Sequence, residues 1–359
     1  MKVLSLFDGI SCGQLALERS KIAVDSYYAS EIEPHAIKVA KHNFPNTIEI
    51  GDICKVSYKN GVLHTQNGDF TVGHIDLLIG GSPCTNFSSI GYANGMVSGS
   101  TEITTLSQYL DLKEKQCVFE GQSYLFWEFL RLLGEVQPNF FLLENVLMAK
   151  KWEEIITQNM KVSPIKINSS LLSAQNRPRL YWTDIPNVVP PTDKNISLAS
   201  ILSDDSDDSD VFHCLTVQRA FPRLLNKYGY IPEKFNAYNA SRIKNKACAL
   251  SRGSMVTSSC ATLLFVKKEN GLHFVESGML DQTYPTKLPD GTYNIRRLSV
   301  LECERLQTLP DNYTLVDGVS NQKRNEMIGN AWTVDIISHI FLCLREGENL
   351  WAKNRKFSA

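Results

Sequence analysis

The chain lacks the cysteine arrangements that signal a structural metal. Its nine cysteines, at 12, 54, 84, 117, 214, 248, 260, 303 and 343, include no Cys-x-x-Cys pair and no Cys/His cluster at zinc-like spacing. An odd, scattered set of thiols points to a reducing compartment and to no metal site. No uninterrupted apolar run approaches the length needed to span a bilayer, so a soluble, intracellular protein without a membrane partner is expected. A surplus of either charge is also missing: 37 Lys+Arg face 38 Asp+Glu, a formal net charge of -1. The chain is therefore no wholesale polycation, and any contact with nucleic acid must come from local basic clusters. Internal repeats are absent, which excludes solenoids and propellers. What remains is 359 residues, 43% hydrophobic, enough for one large domain or two with a sizeable core.

The stretch Asp76-Leu77-Leu78-Ile79-Gly80-Gly81-Ser82-Pro83-Cys84 runs an apolar segment into two glycines, a proline and one cysteine. It predicts a buried strand ending in a stiff loop that displays Cys84. Taken alone it fits a nucleophile no better than an ordinary packed thiol. Elsewhere, three more apolar runs end on ligand-type residues. Residues 3–7 lead into Asp8-Gly9-Ile10 and then a helical pattern; 27–30 end on Glu31 ahead of a helix over 34–42; 47–50 end on Gly51-Asp52-Ile53. Strand, glycine turn, helix is the opening unit of a doubly wound α/β sheet, and such sheets bind ligands at the carboxyl ends of their strands. A nicotinamide enzyme would place an acid like Glu31 there too, but the first turn is not G-x-G-x-x-G.

Further along, residues 94–116 are rich in Gly, Ser and Thr without clear periodicity and read as a mobile loop or lid. A helix is predicted over 124–136, its leucine and aromatic stripe serving the core. Phe140-Phe141-Leu142-Leu143 reads as a buried strand running into Glu144, a carboxylate costly to bury without a partner or a role. In Gln175-Asn176-Arg177-Pro178-Arg179 two arginines alternate along an extended segment and are expected on one side of it, with a solvated edge strand as the bland alternative. Prolines 186, 190 and 191 mark a linker, and 203–210 is an acidic run without a calcium-loop pattern. Arg242, Lys244, Lys246 and Arg252, interleaved with amides and hydroxyls, suit phosphates and base edges, though an ordinary solvated surface has the same texture. Ser299 sits at a helix-cap position, and Gly329-Asn330-Ala331-Trp332 precedes an apolar helix over 334–344.

In this order, Leu6-Phe7-Asp8-Gly9, Glu31, Gly51-Asp52-Ile53, Gly81-Ser82-Pro83-Cys84, Glu144-Asn145-Val146, Gln175-x-Arg177-x-Arg179, residues 297–310 and Gly329-Asn330-Ala331-Trp332 resemble the DNA (cytosine-5)-methyltransferases. The likeness is greatest to the branch of the animal de novo enzymes with their bacterial and phage relatives, where Ser-Pro-Cys replaces the commoner Pro-Pro-Cys. Cys84 and Glu144 are further apart than is usual in the family, and the extra length is expected within 94–116.

The resemblance implies a Rossmann-like S-adenosylmethionine-dependent α/β fold with a smaller, mixed target-recognition domain. Its divisions would be 1–185 (catalytic), 186–294 (target recognition, with Thr262-Leu263 resembling a dipeptide common there), 295–321 (connecting) and 322–359 (return to the catalytic domain). It implies catalytic roles for Cys84, Glu144, Arg177 and Arg179. The cofactor, S-adenosylmethionine, with S-adenosylhomocysteine as product, would meet Phe7, Asp8, Gly9, Ile10, Glu31, Asp52, Ile53, Pro83, Asn330 and Trp332. Double-stranded DNA would be the substrate, in the cytoplasm of a prokaryotic or phage-infected cell, for modification. Three alternatives stand beside this one. An RNA cytosine methyltransferase of the related tRNA branch would carry Cys-Phe-Thr, which is not found here; a catalytically silent DNA-binding homologue would not need the intact catalytic set; a nucleotide-dependent dehydrogenase lacks its phosphate loop.

Overall fold

The computed structural model describes residues 1–83, 96–99, 101–203, 246–250 and 298–345, together with the backbone of 211–216, 262–267, 273–275, 291–297 and 346–356. Cys84, the start of the 94–116 segment, residues 204–210 of the acidic run, and Arg242, Lys244 and Arg252 of the basic stretch lie outside the described residues. The chain divides into two compact units, Met1–Asn168 with Pro178–Pro191 and Val334–Ala359, and Ser169–Arg177 with Thr192–Thr333.

The first unit is built on β1 (Lys2–Leu6), α1 (Cys12–Arg19), β2 (Ser26–Ser30), α2 (Pro34–Asn43) and β3 (Ile48–Glu49), joined by parallel pairing. A small antiparallel sheet, β4 (Ser57–Lys59), β5 (Val62–Thr65) and β6 (Gly68–Thr71), follows. Its first turn, Asn60-Gly61 between the paired Lys59 and Val62, carries a local signal. Asn-Gly favours two-residue hairpins because both positions tolerate positive φ, and Asn60 (51°) and Gly61 (80°) adopt it. Next come β7 (Leu77–Gly80), the short pair β8 (Val97–Ser98) and β9 (Thr101–Glu102), α3 (Leu106–Glu114), α4 (Leu125–Val136), β10 (Phe140–Val146), α5 (Lys150–Met160), β11 (Ile165–Asn168) and, later, β13 (Pro178–Thr183).

The main sheet runs β11-β13-β10-β7-β1-β2-β3, parallel from β10 to β3, with β13 antiparallel to both its neighbours. The chain goes outward from β1 to β2 and β3, then returns to the other side of β1 as β7. The β1/β7 pair is therefore the topological switch point, where open α/β sheets form their ligand crevice beyond the carboxyl ends. The Phe7–Gly9 and Gly81–Pro83 turns both leave from that point. β13 is an interior strand with Leu180, Tyr181 and Trp182 buried, so the edge-strand alternative for this segment is excluded.

The 94–116 segment departs from expectation. Where it is described it holds a β hairpin and α3, rather than an unstructured lid. Thr105 Oγ1 caps α3 by accepting from Gln108 N at 3.2 Å, and Gln108 in turn donates to Glu102 O at 2.9 Å. Tyr109 is buried in the core cluster with Phe126, Trp127 and Phe129 of α4. One large aromatic and a Thr cap are enough to dock a helix whose polar faces hide its period.

α8 (Val334–Lys356) closes the first unit against α1, with Arg19 bridging Asp335 at 2.6 Å and Ser20 Oγ donating to Ser338 O at 3.0 Å. The stretch Asn321–Arg345 is long and apolar enough, by length and composition, to cross a membrane, although no single apolar run in the sequence is. Most of its apolar part is buried within the protein, with Ile336, Ile337, Ile340, Phe341 and Leu344 of α8 in the core.

The second unit contains β12 (Gln175–Asn176) paired with β15 (Ala247–Cys248), and an antiparallel sheet in the order β14 (Val211–Thr216), β16 (Thr262–Lys267), β18 (Gly291–Arg297), β17 (His273–Val275). It also holds α6 (Val300–Leu306) and α7 (Asn321–Asn330). Ser299 and Glu302 form a reciprocal capping box at the start of α6, as the serine position predicts.

Candidate functional site

At the end of β1 the backbone alternates into the left-handed region at Phe7 (59°), Gly9 (60°) and Ser11 (62°). Only glycine takes this conformation without cost, so two side-chain-bearing residues here are held by their surroundings. The holding group is Asp8. Its carboxylate accepts from Ser5 Oγ (2.6 Å), Ser11 Oγ (2.6 Å) and Tyr27 OH (2.7 Å), while its amide donates to Ser30 O (3.1 Å). Burial raises the Asp8 pKa, the hydroxyls oppose that, and nearby Glu31 adds to it.

Glu31 joins the turns after β1 and β2. Its Oε2 accepts from Gly9 N at 2.8 Å, and its Oε1 accepts from Ile32 N (2.7 Å) and Glu33 N (2.9 Å). Three of roughly four carboxylate acceptor positions are thus used, leaving about one for a ligand hydroxyl. After β3, Gly51 has φ 77°, and a Cβ there would meet the Gln66 side chain at 2.3 Å, so the hairpin tip lies directly against this turn. Asp52 caps the following 3-10 turn, Ile53–Lys55, by accepting from Cys54 N at 3.0 Å. Ile10 and Ile53 are buried; Phe7, Gly9, Glu31, Asp52 and Pro83 are half-buried.

At the end of β10, Glu144 forms an ion pair with Arg179 of β13, Oε1 to Nε 3.0 Å, both side chains mostly buried. The pairing places Val146 opposite Arg179 and Glu144 opposite Tyr181. Next to it, Asn145 Nδ2 donates to Ser82 O (3.2 Å) and Ser82 Oγ (3.1 Å). This buried amide ties the Glu144 strand to the turn that leads into Cys84. Sequence reasoning gave Asn145 and Ser82 no role of their own; the adjacency of Asn145 to a strand-end glutamate was the available signal.

The second unit places Arg177, Asn330 and Trp332. Arg177 is buried, donating to the carbonyls of Leu250 (2.6 Å), Gly329 (3.2 Å) and Ala331 (3.0 Å). Gln307 donates to Ile328 O (2.9 Å) and Ala331 O (3.1 Å), so the carbonyls flanking Asn330 are held from two directions while Asn330 is exposed and Trp332 half-exposed. The two arginines expected on one side of an extended segment thus take different partners. Between them the chain leaves the β12 pairing for β13, and the Pro178 backbone has no N–H to continue the first ladder.

Burial pushes the Cys54 thiol up to about 12, with Glu128 adding to the shift, and burial beside Glu302 and Glu304 also raises Cys303. Neither is poised as a thiolate. No metal-type cluster of His, Cys, Asp and Glu occurs among the described residues.

The model of the C-5 cytosine-specific DNA methylases matches residues 1–345. This chain belongs to that family. Among relatives in the family, "Orphan methyltransferase M.SPBetaI" of Bacillus phage SPbeta is 24% identical over 438 residues, covering 95% of this chain and 96% of that protein. "Orphan methyltransferase M.SPRI" of Bacillus phage SPR is 27% identical over 197 residues, a match spanning half of this chain and 37% of the relative's length. The fold is shared with the Dnmt2 methyltransferase of S. pombe (TM-score 0.59, 16% identity, 97% of this chain and 99% of that one). It is shared also with a putative prophage DNA modification methyltransferase from E. coli (TM-score 0.53, 18% identity, 97% and 99%). These likenesses match the mostly parallel sheet described above and bear out the doubly wound methyltransferase fold and the family expected from the motifs.

Proposed function

We propose that this methylase-family chain transfers a methyl group from S-adenosylmethionine to C5 of a cytosine flipped out of double-stranded DNA, through a covalent bond from Cys84 to C6. The observation that carries the reading is the tie between two strand ends: Glu144 paired with Arg179 on β10 and β13, and Asn145 gripping the Ser82–Pro83 turn one residue short of Cys84.

The carboxyl edge fits the donor. Asp8, Glu31 and Asp52 are held by hydroxyls and backbone N–H groups, with no basic partner among the described residues. Their negative charge is left for a ligand bearing a sulfonium and an ammonium group. S-adenosylmethionine supplies an electrophilic methyl. Glu31 has acceptor capacity for a ribose hydroxyl and Asp52 for an adenine amine; Phe7, Gly9, Ile10, Ile53 and Pro83 wall the site, and the resemblance adds Asn330 and Trp332.

C5 of cytosine is a weak nucleophile until a thiolate adds to C6, which turns C5 into the carbon of an enamine; this splits one hard step into two. Glu144 would hydrogen-bond N3 and the exocyclic amine as electron density arrives there. Arg179 fixes the Glu144 carboxylate and reaches O2, and Arg177 acts indirectly, holding the carbonyls on either side of Asn330. After C5 takes the methyl, it loses its proton to a base; the C5–H electrons form the C5–C6 double bond as the C6–S bond breaks, releasing the thiolate. The target atoms are inaccessible in a stacked duplex, so the base must be extruded. Residues 186–294 would read the sequence, and the setting would be modification of phage or bacterial DNA in the cytoplasm.

A duplex carrying 5-fluorocytosine at the target, which has no C5 proton to lose, tests this with cofactor present. A protein–DNA adduct lost in Cys84→Ser is expected. No adduct overturns the covalent route, and faster methyl transfer to tRNA than to duplex DNA overturns the substrate.

A further inference from the structure

The turn bearing Asp52 and Ile53 is supported from beneath by charges that the methyl-transfer reading does not use. Arg131 Nη2 of α4 donates to Val56 O (2.8 Å) and Ile53 O (3.3 Å), and Lys113 Nζ of α3 donates to Cys54 O (3.5 Å). Both cations converge on Glu128, whose side chain is fully buried. Its Oε2 accepts from Arg131 Nε (2.9 Å) and Nη2 (2.6 Å); its Oε1 accepts from Lys113 and from Tyr109 OH (2.5 Å). Arg131 Nη1 continues to Glu135 Oε1 (2.6 Å), and Glu135 Oε2 accepts from Tyr58 N (2.8 Å) on β4.

Two acids and two bases balance here, so the network brings no net charge to the site. It brings direction instead. A buried carboxylate is costly unless paired and hydrogen-bonded, and this one is used to aim two cations at the carbonyls of Ile53, Cys54 and Val56 in a single short turn. α3 belongs to the segment between Cys84 and Glu144 and supplies two of the four donors on Glu128.

We propose that Glu128 is a positioning residue for cofactor binding: through Arg131 and Lys113 it fixes the 52–56 turn, and through Lys113 and Tyr109 it makes α3 part of that turn's support. This rests on the assignment of Asp52 and Ile53 as cofactor contacts. Lys113 is the usable lever, because its side chain is about a third exposed.

The test uses the full chain, with S-adenosylmethionine binding followed by calorimetry, KM measured separately for cofactor and duplex, and thermal unfolding as a control. Lys113→Met should weaken cofactor binding about 10-fold, the equivalent of losing one charge-assisted hydrogen bond, with the duplex KM unchanged. Lys113→Arg, which keeps the charge and the donors, should restore it. Glu128→Gln should weaken it more, and if that variant does not fold, the Lys113 pair decides. Unchanged cofactor affinity in Lys113→Met, or an equal rise in both KM values, overturns the positioning role alone. Failure of the unaltered protein to bind S-adenosylmethionine overturns the cofactor assignment and this proposal with it.

Discussion

On α4, Glu128 meets a lysine, an arginine and a phenol, whereas at the end of β1 Asp8 meets three hydroxyls and, among the described residues, no cation. Glu128 is fully buried and paired with cations, whereas Asp8 is half-buried and meets neutral donors alone among the described residues. The same contrast extends to their neighbours: Glu135 pairs with Arg131, while Glu31 and Asp52 are satisfied by backbone N–H groups. Cations bind acids into a scaffold; neutral donors orient an acid and leave its field in place. Glu144 falls between the two, held by Arg179 near the carboxyl end of β10.

If Glu144 works as a proton donor or acceptor rather than as scaffold, Glu144→Gln should lower kcat by about 10²- to 10⁴-fold. Cofactor affinity should be kept. A loss of cofactor binding as large as the loss of kcat would move Glu144 into the scaffold class with Glu128.

Asp8 provides the next contrast. Asp8→Asn keeps an oxygen for the hydroxyls but removes the charge, and should weaken S-adenosylmethionine binding by roughly 10-fold, the scale of one charged interaction. Because burial raises the Asp8 pKa, ionised Asp8 costs the fold stability that the neutral amide does not. The amide has one acceptor oxygen for three hydroxyl donors, so the lost hydrogen bonding offsets that gain and thermal unfolding at neutral pH should differ little from the parent. A variant that melts earlier yet binds cofactor normally would mean that the edge acids are structural.

How much of this was legible depends on the range of the interaction. β1, β2, β7 and β10 and the acids at their ends stand out because each is a local apolar run that stops at a glycine or a carboxylate. Ser299 and its capping box are local too. The Glu128 network was hidden inside a helix whose leucine and aromatic stripe is indeed core, since a buried charge becomes sensible only when α3 and the 52–56 turn arrive from elsewhere in the chain. Arg177 and Arg179 show the same limit. Alternation predicts a shared face only while one strand continues, and here the pairing changes between them.

Gly51 tests how the hairpin bounds the edge. Gly51→Ala incurs about 1–2 kcal/mol for a left-handed backbone and also pushes on Gln66. Adding Gln66→Ala should recover the steric part only, seen as a partial return of the melting temperature. Full recovery would show that the positive φ contributes nothing.

Glu49 gives the smallest effect and the finest comparison, because it lies on the acid edge with a cation nearby. It is half-buried, and its Oε2 has no hydrogen-bond partner among the described residues. Burial, then Asp8 and Glu31, raise its pKa from 4.5 to about 7, with Lys41 opposing. Since the folded value is the higher one, the stability contributed by the protonated form is fully present below about pH 4.5 and is lost as pH rises through about 7. Glu49→Gln should flatten the fall in melting temperature across that window. A positively charged ligand at the same edge would stabilise the ionised form, so binding of S-adenosylmethionine near pH 7 should release protons, detected as a binding enthalpy that changes with the buffer's ionisation enthalpy. That dependence should shrink in Glu49→Gln; if it persists undiminished, the protons come from another group, and the field of the acid edge is not what the cofactor meets.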